Sequence, residues 1–204
     1  MFARKRDYFF KIYMYVYILL YFVLCLIRHY HPSLPFLWYA LSFRLTVHVC
    51  DWDYVDCDST RTRILSIEAT AAGLQATIPS ELGQLPYLQR VILDNQNAGA
   101  AGLTGSIPKE FASLSNLVEV NLAFNNLIGP IPIFASAKLQ TLNLSSNHLS
   151  GSLSTEFFYG SKGHGALLKL DLASNQLTGS LPDSIGQLDR MNTLSISDNQ
   201  FSGK

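Results

Sequence analysis

From residue 61 onward, apolar positions recur with a period near 24 residues in the frame L-x-x-L-x-x-L-x-L-x-x-N-x-L-x-G-x-I-P. With the first leucine position counted as one, units begin at Arg61, Leu85, Leu114, Ser136, His164 and Leu188, at spacings of 24, 29, 22, 28 and 24 residues. The cleanest unit, 114–135, holds Leu114, Leu117, Val120, Leu122, Asn125, Leu127, Gly129, Ile131 and Pro132 in frame. Positions seven and nine alternate with polar residues, so each unit carries a short strand with one buried face. Val120 and Leu122 are expected to point inward, Glu119 and Asn121 outward. The strands are predicted to centre near Val91, Val120, Leu142, Leu170 and Leu194 and to stack in parallel about 4.8 Å apart. One coil cannot bury its leucines alone, so the pattern predicts a solenoid with a single shared core.

The other fixed positions have physical jobs as well. Asn125, Asn147, Asn175 and Asn199 fall at position twelve, where the chain turns away from the strand. A side-chain amide there satisfies backbone groups that would otherwise be buried without partners, so these four are predicted to form an internal ladder. The glycine at position sixteen permits a tight bend. The Ile-Pro pair is expected to start a second short extended piece on the far side. Unit 85–113 carries about five extra residues around 96–102, and unit 136–163 about six, including 159–165. Both insertions read as loops. The last unit stops at Lys204 in mid-repeat, which reads as a fragment, a truncated gene product or the front of a longer chain.

The pattern before the repeats is different. An unbroken apolar run extends from Ile12 to Ile27, and counting back through Lys11 to Tyr8 gives twenty residues. That length crosses a hydrocarbon core of about 30 Å, provided that Lys11 snorkels to the headgroups. Arg4, Lys5 and Arg6 precede the run, so the positive-inside tendency puts the N-terminus in the cytoplasm. Residues 1–30 therefore read as a hydrophobic signal-anchor helix through residues 8–27, with a signal peptide as the alternative and a buried apolar segment as the plain one. Tyr13, Tyr15, Tyr17 and Tyr21 inside the run weigh against a span. Residues 31–48 read as a juxtamembrane linker.

The formal net charge of the 204 residues is zero, which speaks against a nucleic-acid binder. The balance hides an asymmetry: six basic and one acidic residue in 1–49, nine basic and fourteen acidic in 50–204. Catalytic signatures such as H-E-x-x-H, G-x-S-x-G or a phosphate loop are missing, and the five histidines are scattered. Neither an enzyme nor a cofactor or metal is expected. The three cysteines are too few for a disulfide-dense fold. Cys25 lies within the apolar run. Cys50 and Cys57 flank Trp52, and their closeness fits an oxidising compartment, with a two-cysteine zinc site as the alternative.

The L-x-G-x-I-P form with asparagine at twelve resembles the plant-type leucine-rich repeats of receptor-like kinases and receptor-like proteins, over roughly residues 49–204. That family also carries a cap of the form C-x-W-x-x-V-x-C before its repeats. Cys50, Trp52, Val55 and Cys57 match it, with Tyr54 where the family has glycine. The resemblance implies a disulfide between Cys50 and Cys57, a cap over 49–60 and repeats over 61–204. It implies a leucine-rich-repeat solenoid with short parallel strands and a mostly irregular or 3-10 convex side, preceded here by the N-terminal hydrophobic helix. It also implies non-catalytic recognition of a protein or peptide ligand outside the cell, with a possible co-receptor. The alternative is a wall-associated or structural interaction protein without a signalling role.

The candidate recognition surface is the outward side of the strands and the turn beyond it. It comprises Glu68, Arg90, Ile92, Asp94, Glu119, Asn121, Phe124, Asn143, Lys169, Asp171 and Ser195, with Ile92 and Phe124 as its exposed apolar members. Asn143, in N-L-S, is the single N-glycosylation sequon.

Overall fold

The computed structural model describes residues 48–96, 102–134, 136–153 and 166–203. The expectations for the apolar run, for nearly all of the linker and for most of both insertions lie outside these residues. Among the described residues, no helix is long and apolar enough to cross a membrane.

The described residues form twelve strands in succession: β1 (Val55–Cys57), β2 (Ile64–Glu68), β3 (Arg90–Ile92), β4 (Thr104–Ser106), β5 (Glu119–Asn121), β6 (Asn126–Gly129), β7 (Thr141–Asn143), β8 (His148–Ser152), β9 (Lys169–Asp171), β10 (Gln176–Gly179), β11 (Thr193–Ser195) and β12 (Gln200–Phe201). They form two sheets. The first runs β1-β2-β3-β5-β7-β9-β11, and the second β4-β6-β8-β10-β12. From β2 onward all pairing in the first sheet is parallel, with Val91, Val120, Leu142, Leu170 and Leu194 in one register row. Short 3-10 helices at Ser80–Gln84, Lys109–Ser113 and Asp183–Gln187 occupy the convex side. The result is a parallel leucine-rich-repeat solenoid.

The second extended piece is not where the proline suggested. It precedes Ile-Pro, beginning right after the ladder asparagine, as Asn126–Gly129 does in the 114–135 coil. The cause lies in the hydrogen bonds. Coil-to-coil bonds need backbone N–H groups, which proline lacks, and a 3-10 helix follows directly after Pro108 and Pro182. The glycines at sixteen mark the change of direction, with φ of +80° at Gly129, +86° at Gly151 and +80° at Gly179.

Between the sheets lies one continuous core. Val91, Leu117, Val120, Leu122, Leu127, Leu144, Leu149, Leu170 and Leu172 are fully buried. Phe111 and Phe134 fill it from the convex side. The asparagines stitch the coils together. Asn125 Oδ1 accepts from the Leu103 N–H at 2.8 Å, while its Nδ2 donates to the carbonyls of Leu93, Leu122 and Ala123 at 2.9–3.1 Å. Asn147 repeats the pattern one coil on, taking the Leu127 N–H at 3.0 Å and reaching Leu122, Leu144 and Ser145. Asn175 takes the Leu149 N–H, and Asn199 that of Leu177. Buried backbone groups at this turn are thereby paired across coils, as a dry interior requires.

The residue before each ladder asparagine adopts left-handed backbone: Phe124, Ser146, Ser174 and Asp198 have φ between +53° and +58°, and Ala71, at the same place in the first coil, has +51°. This turn aims the following amide inward. For residues with a Cβ the conformation costs roughly 1–2 kcal/mol.

At the N-terminal end β1 pairs antiparallel with β2, Val55 opposite Ile67, and covers an edge that would otherwise be open. Cys50 and Cys57 are joined by a disulfide, and Trp52 and Val55 extend the core beneath it. Arg61 forms an ion pair with Asp51. Tyr54, in the place of the family's glycine, sits at φ +70°. The Asp58 carboxylate accepts from Thr60 Oγ1 at 2.7 Å and from the N–H groups of Thr62 and Arg63. These bonds, with that from Thr60 foremost, hold its pKa below the usual carboxylate value.

Candidate functional site

Inward positions of the first sheet are fixed by the core, so its chemistry lies in the outward ones. At the cap end, Arg90 lies between two carboxylates of neighbouring strands. Its Nη1 is 2.8 Å from Glu68 Oε1, and its Nε donates to Glu119 Oε2 at 3.0 Å. Ser66 Oγ donates to the same Glu68 oxygen at 2.6 Å. The parallel register aligns Ser66, Arg90 and Glu119 in one row and Glu68, Ile92 and Asn121 in the next. An arginine in the middle strand therefore reaches a carboxylate on each side. The guanidinium is half exposed, and the cluster carries one net negative charge towards solvent.

Two expected surface members lie deeper. Ile92 is 9% exposed and Asp94 7%. Ile92 stays outside the core cluster but lies on an interior strand, between Glu68 and Asn121 in register. Asp94 follows the inward Leu93 into the turn, where Asn121 Nδ2 approaches its Oδ2 at 3.4 Å. Ile92 is thus not an apolar contact offered to a ligand. Phe124 is exposed, at 43%.

The residues at position eight do more than face outward. Asn121 Oδ1 accepts the N–H of Ala123, Asn143 Oδ1 that of Ser145, and Asp171 Oδ1 that of Ala173, all at 3.1–3.2 Å. Each closes the turn that leaves its strand. Lys169 is exposed and Ser195 half-buried. The row of outward side chains is mixed in charge from Glu68 to Ser195.

A shallow open depression of about 470 Å³ lies beside this face, where the chain passes from the first sheet to the second. Its rim includes Phe124, Asn126, Ser146, His148 and Ser174. Of these, the sequence pattern places only Phe124 on the candidate recognition surface. The others occupy positions eleven and thirteen, and their nearness comes from the left-handed turn, which no composition signal reveals. His148 begins β8 and faces Gln176 Nε2 at 3.4 Å. It belongs to the second sheet. Among the described residues there is no cluster of His, Cys, Asp and Glu that could hold a metal.

A family profile described as Leucine Rich Repeat matches residues 138–159 and 166–188. The chain is 37% identical to Receptor-like protein 31 of Arabidopsis thaliana over 75 residues, covering 35% of this chain and 8% of that protein. Among solved structures it is similar to a plant ice-binding protein, at 33% identity and a TM-score of 0.63, over 75% of this chain and 48% of the other. It is also similar to the Arabidopsis receptor kinase HAESA, solved with the peptide hormone IDA and the co-receptor SERK1. There the identity is 29% and the TM-score 0.63, over 79% of this chain and 26% of the other. The matches to curated relatives span 8% to 17% of those proteins' length. Repeat frame, cap disulfide, paired parallel sheets and these likenesses agree: the described coils are a leucine-rich-repeat array related to the ectodomains of plant receptor-like proteins and receptor kinases.

Proposed function

We propose that the concave sheet recognises a protein or peptide outside the cell, without catalysis, and that residues 8–27 hold the chain in the plasma membrane with its repeats outside; the alternative to the anchor is secretion. The observation that carries this reading is the division of labour in the first sheet. Inward positions are apolar and, from Ile67 to Leu172, buried, whereas outward positions and the turn beyond them change from coil to coil and include an exposed aromatic and charges of both signs. Such a surface gives specificity through many modest contacts. The cap disulfide supports an oxidising compartment. The HAESA complex supports a peptide ligand and a co-receptor as the partner classes.

The test has two arms. Full-length chain expressed in plant cells is extracted with carbonate and probed with protease on intact cells; recovery as an unanchored cytosolic protein defeats the placement. Surface-displayed chain is then crosslinked to extracellular proteins and peptides, with Arg90→Glu and Glu68→Lys alongside. A partner captured by the wild type and lost from both variants supports the face. Equal capture by all three removes it.

A second reading rests on the other sheet. Thr104, Ile128, Ser150, Thr178 and Ser202 recur once per coil on its outer side, and the ice-binding structure is among the likenesses. This favours contact with an ordered surface such as ice. Inhibition of ice recrystallisation that Thr178→Tyr abolishes supports it; no inhibition by the wild type ends it.

A further inference from the structure

We infer that Asn143 carries an N-linked glycan that covers the middle of the concave face, leaving the cap-side coils as the part open to a ligand. This deepens the reading of the concave sheet as an extracellular recognition surface and rests on it.

Three observations carry the inference. First, Asn143 stands in the N-L-S sequon, and it is the sole sequon of the chain. Secondly, the amide is turned the right way. Its Oδ1 is held by the N–H of Ser145 at 3.1 Å and by Ser145 Oγ at 2.7 Å. Among the described residues its Nδ2 donates to nothing, and the residue is half-buried on the outward side of β7. The nitrogen that would bear the sugar is therefore the one left over, and a substituent on it breaks no hydrogen bond. Asn121, at the same position of β5, differs: its Nδ2 is directed at Asp94. Thirdly, β7 is an interior strand. Asn143 lies between Asn121 and Asp171 in register, with neighbouring strands about 4.8 Å away. A sugar ring at Asn143 must lie over one or both neighbours, and its extension covers the adjacent outward positions, Lys169 among them.

The covalent step is an ordinary transfer. A bond forms between Asn143 Nδ2 and C1 of the first N-acetylglucosamine of a polyprenyl-pyrophosphate oligosaccharide. The bond from C1 to the pyrophosphate oxygen breaks, the pyrophosphate leaves with its electron pair, and the amide proton passes to a base of the transferase. Ser145, whose hydroxyl the sequon requires, is 8% exposed in the folded coil. Transfer therefore precedes the folding of this coil, and the folded protein is not a substrate.

The surface left open lies one strand further towards the cap and holds Glu68 and Arg90, beside Tyr54, which is 47% exposed. Glu68 donates its N–H to the Tyr54 carbonyl at 2.9 Å, so Tyr54 adjoins this cluster through its backbone. A ligand confined here meets a carboxylate, a guanidinium and an aromatic residue.

The experiment uses full-length chain from plant cells. Intact mass is measured before and after amidase removal of N-glycans, and the Cys50–Cys57 disulfide is mapped in the same sample. Acylation of Lys169 is then timed against Lys109, which lies in a convex-side helix, for the wild type, Asn143→Gln and Ser145→Thr. The inference expects a glycan on the wild type and Ser145→Thr, none on Asn143→Gln, and several-fold faster acylation of Lys169 in Asn143→Gln with Lys109 unchanged. A formed disulfide with no glycan overturns the inference and leaves the extracellular reading standing. Absence of both overturns both. A glycan present with equal Lys169 rates in all three proteins overturns the covering of the face.

Discussion

Replacing Asn147 by alanine tests the ladder most directly, because the accounts of its four bonds can be followed individually. The Asn147 Nδ2 donates to the carbonyls of Leu122, Leu144 and Ser145. All three keep another donor when it is lost: Asn125 Nδ2 for Leu122, Asn175 Nδ2 for Leu144 and the Phe124 N–H for Ser145. The Leu127 N–H has no such reserve. Its acceptor is Asn147 Oδ1, and Leu127 is fully buried. One orphaned buried donor costs about 1–3 kcal/mol, and the net loss of the remaining bonds adds to it. The expected destabilisation of Asn147→Ala is about 2–4 kcal/mol. Asn199→Ala is the control, since it removes the same four bonds where the residue is half-buried and water can reach the freed groups. Its cost should be less than half as large. Urea unfolding followed by far-ultraviolet circular dichroism measures both. Equal losses in the two variants, or a loss below about 0.5 kcal/mol for Asn147→Ala, would refute the account of the ladder as buried backbone satisfaction.

Leu142→Ala should cost about 2–5 kcal/mol in the same assay, as for a packed core leucine; near-neutrality would mean that it does not belong to the core row. Tyr54→Gly should raise the unfolding midpoint by relieving roughly 1–2 kcal/mol of left-handed strain, offset in part by glycine's flexibility, and a lowered midpoint by calorimetry counts against that strain. Asp58 has a folded pKa below its ordinary value of 3.8, so its contribution is present above that value and is lost as the pH falls through the folded pKa. Acid titration of cap unfolding should therefore be flatter in Asp58→Asn than in the wild type. Arg90→Ala should change stability by no more than about 1 kcal/mol, because its ion pairs are half exposed; a larger loss in urea would assign the triad a structural role.

The core face of the first sheet was readable from the sequence because a period-two pattern in a fixed frame leaves one register. Val91, Val120, Leu142, Leu170 and Leu194 are the central residues of their strands. The second sheet was displaced by a few residues because proline is conspicuous in a sequence and a missing N–H is not. The surface was harder. Outwardness follows from alternation, but exposure depends on what the neighbouring coils present, and Ile92 lies in register between residues 24 or more positions away. The left-handed turns left no mark either: Ala71, Phe124, Ser146, Ser174 and Asp198 share no chemistry. Their common backbone is imposed by the coil.

The amide stitching is also directional. Asn147 reaches back to Leu122 and Leu127, Asn175 to Leu144 and Leu149, and Asn199 to Leu172 and Leu177. Under tension applied at the C-terminal end, the outermost coil alone carries the load, and its release exposes an identical set of bonds in the next. The molecule then yields as a zip does, in a train of similar steps rather than one rupture. A coil of about 24 residues lengthens the chain by roughly 8 nm per step at full extension. Force-extension traces should show that spacing, and relaxation should close the coils in reverse order, each templated on the one before.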